Sequence, residues 1–179
     1  MSKSDNTSKN RTCIILQRVI MELLDRHSFQ KITVNDICRT AIISRAAFYT
    51  HYDDKYHLLR CALENSKSNF FGAGTDTFNE KELLSILKNI HTHGNVFKNM
   101  LLDDANHELF AMLARLFTDA IADCLKRDDK EYSMPIELLS VYAAGGCTYM
   151  LLWWIKNNYS LPEEELAHRL TELISRSLR

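Results

Sequence analysis

Three helix-start signals crowd into fewer than thirty residues between Lys31 and Leu59, in the run KITVNDICRTAIISRAAFYTHYDDKYHLL. Thr33 precedes Val34, Ile37, Cys38 and Ala41, an apolar set at helical spacing. Its hydroxyl can accept a bond from the amide near Asp36, whose carboxylate suits the positive end of a helix. Ser44 opens a second set, in which Phe48 and Tyr52 share one face while Arg45, Ala46, Tyr49 and Thr50 look elsewhere. Asp53 and Asp54 cap a third start at Lys55. Two short amphipathic helices, a tight turn and a capped third helix have the spacing of a helix-turn-helix. One face of the second helix packs and the other is free to read. The small residues Ala46 and Ala47 would let its backbone come close to bases and phosphates. Lys55, at a helix start, can face a phosphate.

Phe29 to Leu59 reads F-x-K-I-T-V-x-D-I and then A-x-I-S-R-x-x-F-Y-x-H-Y-x-D-K-Y-x-L-L. This pattern resembles, in one ungapped register, the N-terminal domain of TetR-type transcriptional regulators. The resemblance implies an all-α protein of about nine helices, with a helix-turn-helix head of three helices over residues 1–55. A larger helical bundle, for ligand binding and dimerisation, would occupy residues 56–179. It also implies that the helix from Ser44 to His51 enters the major groove of a double-stranded DNA operator. Ser44, Arg45, Ala46, Ala47, Tyr49, Thr50 and His51 would then contact DNA, with Thr33 and Lys55 on the phosphate backbone. Two positions depart from the family pattern. Ile42 stands where many members carry glycine in the turn, and a β-branched residue is disfavoured if that position needs positive φ. Ser28 stands where a helix-ending glycine is common.

Charge is divided along the chain in the same sense. Residues 1–60 carry ten Lys and Arg against six Asp and Glu, net +4, while residues 61–179 carry twelve against seventeen, net −5. The total of −1 hides a basic end and an acidic body, as expected where one end meets phosphates. Five glycines and two prolines among 179 residues leave few places to punctuate hairpins, so the remainder should be helical. Five cysteines, Cys13, Cys38, Cys61, Cys124 and Cys147, lack C-x-x-C spacing and sit on apolar stripes, which reads as buried, reduced thiols in a cytoplasmic protein. The polar start MSKSDNTSKNR has no apolar segment of a signal peptide and reads as a loose arm.

Periodicity predicts a first helix from about Thr12 to His27, with Cys13, Leu16, Ile20, Leu23 and Leu24 on its packed side. The helix opening at Lys55 should run through Leu58, Leu59, Ala62 and Leu63 toward Phe70 and Phe71 and end in GAGTDT. In the body, helices are expected over Glu80–His91, Val96–Leu102, Asp104–Lys126, about 135–157 and about 162–178, the last two opened by Pro135 and Pro162. Eighteen residues without a charge, Leu138–Ile155, approach the length of a membrane span. Ser140, Gly145, Gly146, Cys147 and Thr148 dilute that stretch and no basic cluster orients it, so no membrane partner is expected. The family resemblance instead implies a homodimer through these two C-terminal helices. It further implies a small hydrophobic or aromatic effector, for which Phe97, Met100, Phe110, Phe117, Tyr142, Tyr149 and Trp153 are candidate lining residues.

Enzyme chemistry finds no motif here: no nucleophile signature, phosphate loop or cysteine-histidine cluster is present. His91-x-His93 puts two imidazoles on different helix faces. Glu165-x-x-His168 has di-iron spacing, but such a site needs the motif twice with two further glutamates, and the nearest second candidate is Asp104-x-x-His107. No catalytic residue, metal ligand or cofactor is therefore expected, and Glu165 with His168 reads as a surface ion pair.

Overall fold

The computed structural model describes residues 3–66, 79–104, 107–127 and 131–177, and the chain divides into two compact units, Met1–Ser66 and Lys67–Arg179. The described residues hold nine α-helices and one 3₁₀ turn, and no strand. The first unit contains α1 (Lys3–Leu24), the 3₁₀ turn (Phe29–Lys31), α2 (Val34–Ala41), α3 (Arg45–Tyr49) and α4 (Lys55–Asn65). The second contains α5 (Glu80–Thr92), α6 (Gly94–Leu101), α7 (Glu108–Arg127), α8 (Ile136–Lys156) and α9 (Glu163–Ser177). This is the all-α architecture expected, with one shift of boundary. All of α4 groups with the head because Leu58, Leu59, Ala62 and Leu63 are buried there, so the division falls at Ser66 rather than near residue 55. The expected run to Phe70 and Phe71 and its ending in GAGTDT lie outside the described residues.

In the head, α1 packs on both α2 and α4, and Leu16, Val19, Ile20 and Leu24 are buried together with Phe29, Ile32, Ile37 and Phe48. The expected loose arm is corrected here: α1 begins at Lys3, nine residues before Thr12, and ends at Leu24 rather than His27. Extending a formed helix adds one hydrogen bond per residue fixed, so polar residues can prolong a nucleus that apolar packing further along has established. Ser28 has φ −54°, an ordinary extended conformation that needs no glycine.

Two long helices, α7 and α8, form the main contact of the body, and α5 pairs with α9. From α7, Leu109, Leu113, Leu116, Phe117, Ile121, Cys124 and Leu125 are buried. The start of α7 falls at Glu108 and not at Asp104. Asp104 is buried and uses its carboxylate as a cap, accepting a 2.8 Å bond from the Phe110 amide. The α5–α9 contact is laced by polar pairs: Lys88 with Glu164 at 2.9 Å, His168 with Glu80 at 3.0 Å, and His91 with Glu163. His91 holds the Glu163 carboxyl below its usual range. The turn after α8 is held by Tyr159, which takes φ 56°. Its ring stacks on His91 at 4.4 Å and its hydroxyl donates to the Gly94 carbonyl at 3.2 Å. A Cβ on Gly94 would stand 2.8 Å from that hydroxyl, so the close approach accounts for the glycine.

Candidate nucleic-acid interface

The helix-turn-helix is assembled by local hydrogen bonds. At the start of α2, Thr33 Oγ1 accepts from the Asp36 amide at 3.1 Å, and the Asp36 carboxylate accepts from the Thr33 amide at 3.1 Å. This reciprocal capping box fixes where α2 begins. The Thr33 hydroxyl also donates to Asp36 at 2.6 Å, and these bonds hold the Asp36 carboxyl below its ordinary value. At the end of α2, Ile42 adopts φ 57°, ψ 44°, and the amide of Ile43 returns to the Cys38 carbonyl at 3.0 Å. The turn therefore does require the left-handed conformation, and Ile42 supplies it with its side chain 93% exposed. Ser44 then caps α3 by accepting from the Ala47 amide at 3.1 Å, and Asp54 caps α4 by accepting from the His57 amide at 2.7 Å.

Five residues of α3 are enough to sort its side chains. Phe48 is fully buried and Tyr52 nearly so, with their rings 5.9 Å apart. Arg45, Ala46, Tyr49 and Thr50 are exposed on the opposite side, and Ala47 is half-buried. The Arg45 guanidinium lies 5.8 Å from the centroid of the Tyr49 ring, so the two form one cationic and aromatic unit. Thr50 folds its hydroxyl back onto the Ala47 carbonyl at 2.6 Å, leaving an oxygen that can still accept. His51 sits at the end of this helix, its Nδ1 3.4 Å from the sulfur of Cys13 on α1.

Lys55 is placed otherwise than expected. Its ammonium donates to the carbonyls of Phe29 at 2.8 Å, Gln30 at 3.3 Å and Ile32 at 2.8 Å, and lies 4.5 Å from the Phe29 ring centroid. All three donors are thus turned inward, and burial lowers its pKa. Rather than facing a phosphate, Lys55 ties the start of α4 to the 3₁₀ turn.

A family model described as bacterial regulatory proteins, tetR family, matches residues 18–61, and one described as transcriptional regulator C-terminal region matches residues 80–176. The second match alone spans more than half of the chain. The chain belongs to the TetR-type transcriptional regulators. Among relatives of this regulator is the HTH-type dhaKLM operon transcriptional activator DhaS of Lactococcus lactis subsp. lactis (strain IL1403). It is 26% identical over 136 residues, covering 74% of this chain and 70% of that protein. The uncharacterized HTH-type transcriptional regulator YxbF of Bacillus subtilis (strain 168) is 24% identical over 173 residues; the match covers 89% of this chain but only 44% of YxbF. Among solved structures, a TetR transcriptional regulator from Streptococcus agalactiae 2603V superposes with a TM-score of 0.69 at 21% identity, covering 98% of each chain.

The body of the regulator does not gather the seven residues expected around an effector. Phe97 and Met100 of α6 and Phe117 of α7 are core residues. Phe110 is half-buried, with its ring 4.6 Å from that of Tyr149. Tyr142, Tyr149 and Trp153 are 66%, 66% and 48% exposed, in line along the outer side of α8 with Leu138 and Val141. The cause of this distribution is helical geometry. Leu139, Ala143, Cys147, Leu151 and Trp154 take the inner face, which turns positions 138, 142, 149 and 153 away from it. Ser140 and Thr148, also buried, bond back to the carbonyls of Ile136 and Ala144 at 2.7 Å each. By length and composition α8 is apolar enough to cross a membrane, with half of its most apolar window buried inside the body.

Other expected pairings are also redistributed. Glu165 and His168 do not bond to each other: Glu165 pairs with Arg169 at 3.6 Å and His168 with Glu80. No group of three His, Cys, Asp or Glu suited to a metal occurs among the described residues. Cys13 and Cys61 are half-buried rather than buried, unlike the other three cysteines. One turn after Cys13 on α1, Gln17 donates to the Tyr52 hydroxyl at 2.9 Å and accepts from Asn65 at 3.0 Å. The available sequence signal was Gln17 itself, a polar residue among the packed positions of α1.

Proposed function

We propose that this regulator binds a near-palindromic DNA operator as a homodimer, each subunit laying α3 in a major groove, and represses the genes beside it. The observation that carries the reading is the division of α3. Phe48 and Tyr52 anchor one side in the core, while Arg45, Ala46, Tyr49 and Thr50 form an exposed side with no bulky residue at Ala46 to hold the backbone away from bases. Arg45 is the candidate for guanine, Tyr49 and Thr50 for neighbouring bases and methyl groups, and Ser44, Ala47 and His51 for close approach to the groove and its phosphates. The Thr33 cap contributes at the backbone from the start of α2. Two-fold symmetry requires half-sites about 34–36 Å apart.

Dimerisation is supported by the outer face of α8, where large apolar side chains stand exposed and nothing lies within 4 Å of a Cβ built on Gly145 or Gly146. A second copy would cover that face, with α9 beside it. Release by a small hydrophobic or aromatic effector rests on the family alone, since the seven candidate lining residues are divided between core and outer face. A protein that acts on genomic DNA works in the cytoplasm, and the named relatives are regulators rather than enzymes. Activation is the second reading, favoured by DhaS being named an operon activator.

The test is selection of bound duplexes from a random pool at two salt concentrations, comparing wild type with Arg45→Ala and with Arg45→Ala/Tyr49→Ala. Wild type should enrich a palindrome and lose affinity as salt rises. Arg45→Ala should relax preference at one base position, by about 1–3 kcal/mol. An unchanged preference in Arg45→Ala overturns the assignment.

A further inference from the structure

A half-open cavity of about 230 Å³ lies in the head, bounded by the end of α1 with the loop after it, the 3₁₀ turn and α2. Leu23 and the buried Ile32 supply its apolar lining, and His27, Lys31, Asp36 and Arg39 its polar one. Pockets for drug-sized ligands run to about 300–1,000 Å³, so this space suits a smaller group. Its charge is one-sided. Asp36 has one carboxylate oxygen engaged by the Thr33 amide and hydroxyl and the other by Arg39 at 2.8 Å. Arg39 offsets that carboxylate and, with five N–H donors on its guanidinium, keeps others for a second acceptor. Lys31 is exposed, and its side chain forms no hydrogen bond or ion pair among the described residues. His27, also exposed, adds a ring N–H that can donate whether the imidazole is neutral or charged.

The start of α4 does not offer the phosphate contact expected of it, because the Lys55 ammonium is bonded to the carbonyls of Phe29, Gln30 and Ile32. Those carbonyls flank Lys31, so Lys55 fixes the backbone from which Lys31 extends. In a helix-turn-helix the first helix crosses the sugar–phosphate backbone while the second enters the groove. Here the first helix is α2, and Arg39 stands exposed in its last turn, three residues before Ile42.

We propose that the cavity seats a phosphate group of the operator backbone, held by Lys31 and Arg39 with His27 at its edge. This placement rests on the DNA-binding reading and replaces the contact that Lys55 does not make.

The chemistry of the lining matches that occupant. Phosphate oxygens only accept, and ammonium, guanidinium and imidazole N–H groups donate to them with charge assistance. Asp36 is a positioning residue: its bond to Arg39 orients the guanidinium, and its bonds to Thr33 tie the same carboxylate to the start of α2. A backbone contact carries no base information, so the cavity sets affinity and register while α3 sets sequence preference. Each phosphate neutralised releases counterions, which steepens the fall of log affinity with log salt by about 0.9.

The experiment measures affinity of the full-length protein for the duplex that wild type enriches, across a range of salt. Lys31→Ala/Arg39→Ala should bind more weakly with base preference unchanged and flatten the salt slope by about one, so its deficit narrows about three- to fourfold between about 50 and 200 mM salt. Lys31→Arg/Arg39→Lys keeps both charges and should keep the wild-type slope, as should Lys55→Met. A wild-type slope in the alanine double variant overturns the proposal even if binding is weaker throughout, since a uniform loss reports only a damaged head. A flatter slope in Lys55→Met alone returns the phosphate to α4 and also overturns it. Inorganic phosphate titrated into the free protein, followed by the Lys31 amide and Arg39 side-chain NMR signals, separates the two sources of phosphate. The operator contact predicts no saturation in the micromolar range; saturation there assigns the cavity to a free phosphorylated ligand and overturns the contact. If wild type enriches no duplex, the DNA-binding reading itself fails, and this one with it.

Discussion

The head and the body of this regulator are stabilised by different means. In the head, three consecutive helices start at side-chain caps, Thr33, Ser44 and Asp54, and a lysine ammonium satisfies three backbone carbonyls. Helices of eight and five residues are too short to persist by propensity, so local polar bonds define their ends while Ile37 and Phe48 fix them to the core. In the body, α7 and α8 are twenty and twenty-one residues long and pack through apolar side chains, and α8 keeps apolar side chains on its outer face as well. A reading head must present a few polar groups at fixed angles, which directional bonds achieve. A body that dimerises, as proposed, needs area, which long apolar helices supply.

The sharpest way to break this comparison is a charge on the outer face of α8. Tyr149 is a large ring, 66% exposed, near the middle of that face. If the face is covered by a second copy, Tyr149→Asp buries a carboxylate without a partner, and dimerisation should weaken by about 2–4 kcal/mol. Analytical ultracentrifugation should then show monomer at concentrations where wild type is dimeric, and operator affinity should fall with it. A variant that remains dimeric would mean that the face serves something else. Because the side chain is mostly exposed and rests on the half-buried Phe110 ring at the edge of its own subunit, helix content should change little.

The same contrast explains what was legible in the sequence. Thr33 with Asp36, Ser44 and Asp54 could be read because a cap and its amide lie three residues apart, and Phe48 with Tyr52 because a half-buried helix shows its period. The Lys55 contacts could not, since the carbonyls it satisfies lie 23 to 26 residues earlier in the chain. The exposed positions of Tyr142, Tyr149 and Trp153 could not be read, because a helix apolar around its whole circumference gives periodicity no face to choose. Cys13 and Cys61 were indistinguishable from the buried cysteines, because all five sit on apolar stripes and the degree of burial is decided by packing between helices.

Lys55 allows the directional half of the comparison to be tested. Lys55→Met keeps the stem over the Phe29 ring but removes the ammonium from the carbonyls of Phe29, Gln30 and Ile32, of which that of Phe29 keeps the Ile32 amide. The loss should destabilise the head by about 2 kcal/mol, the range for charge-assisted bonds. Amide hydrogen exchange should report it, with faster exchange in α2, α3 and α4 and unchanged rates in α7 and α8. Equal acceleration in both units would show that they unfold together, and that the head does not depend separately on its polar bonds.

The smallest effect should come from the one place where the head works against its own local preferences. Ile42 holds φ 57° with a β-branched side chain, a conformation that costs an ordinary L-residue about 1–2 kcal/mol. With the side chain 93% exposed, almost no packing offsets that cost. Glycine would relieve the strain, while adding freedom to the unfolded chain that returns part of the gain. Ile42→Gly should therefore stabilise the head by about 0.5–1 kcal/mol, read as slower hydrogen exchange at the end of α2 and the start of α3. Operator affinity separates two roles for the residue. If Ile42 only closes the turn, the glycine variant binds as tightly as wild type; if its exposed methyl groups meet DNA, the variant is more stable and binds more weakly. Stability and affinity moving in opposite directions would place Ile42 on the reading surface, at the point where local geometry would choose glycine.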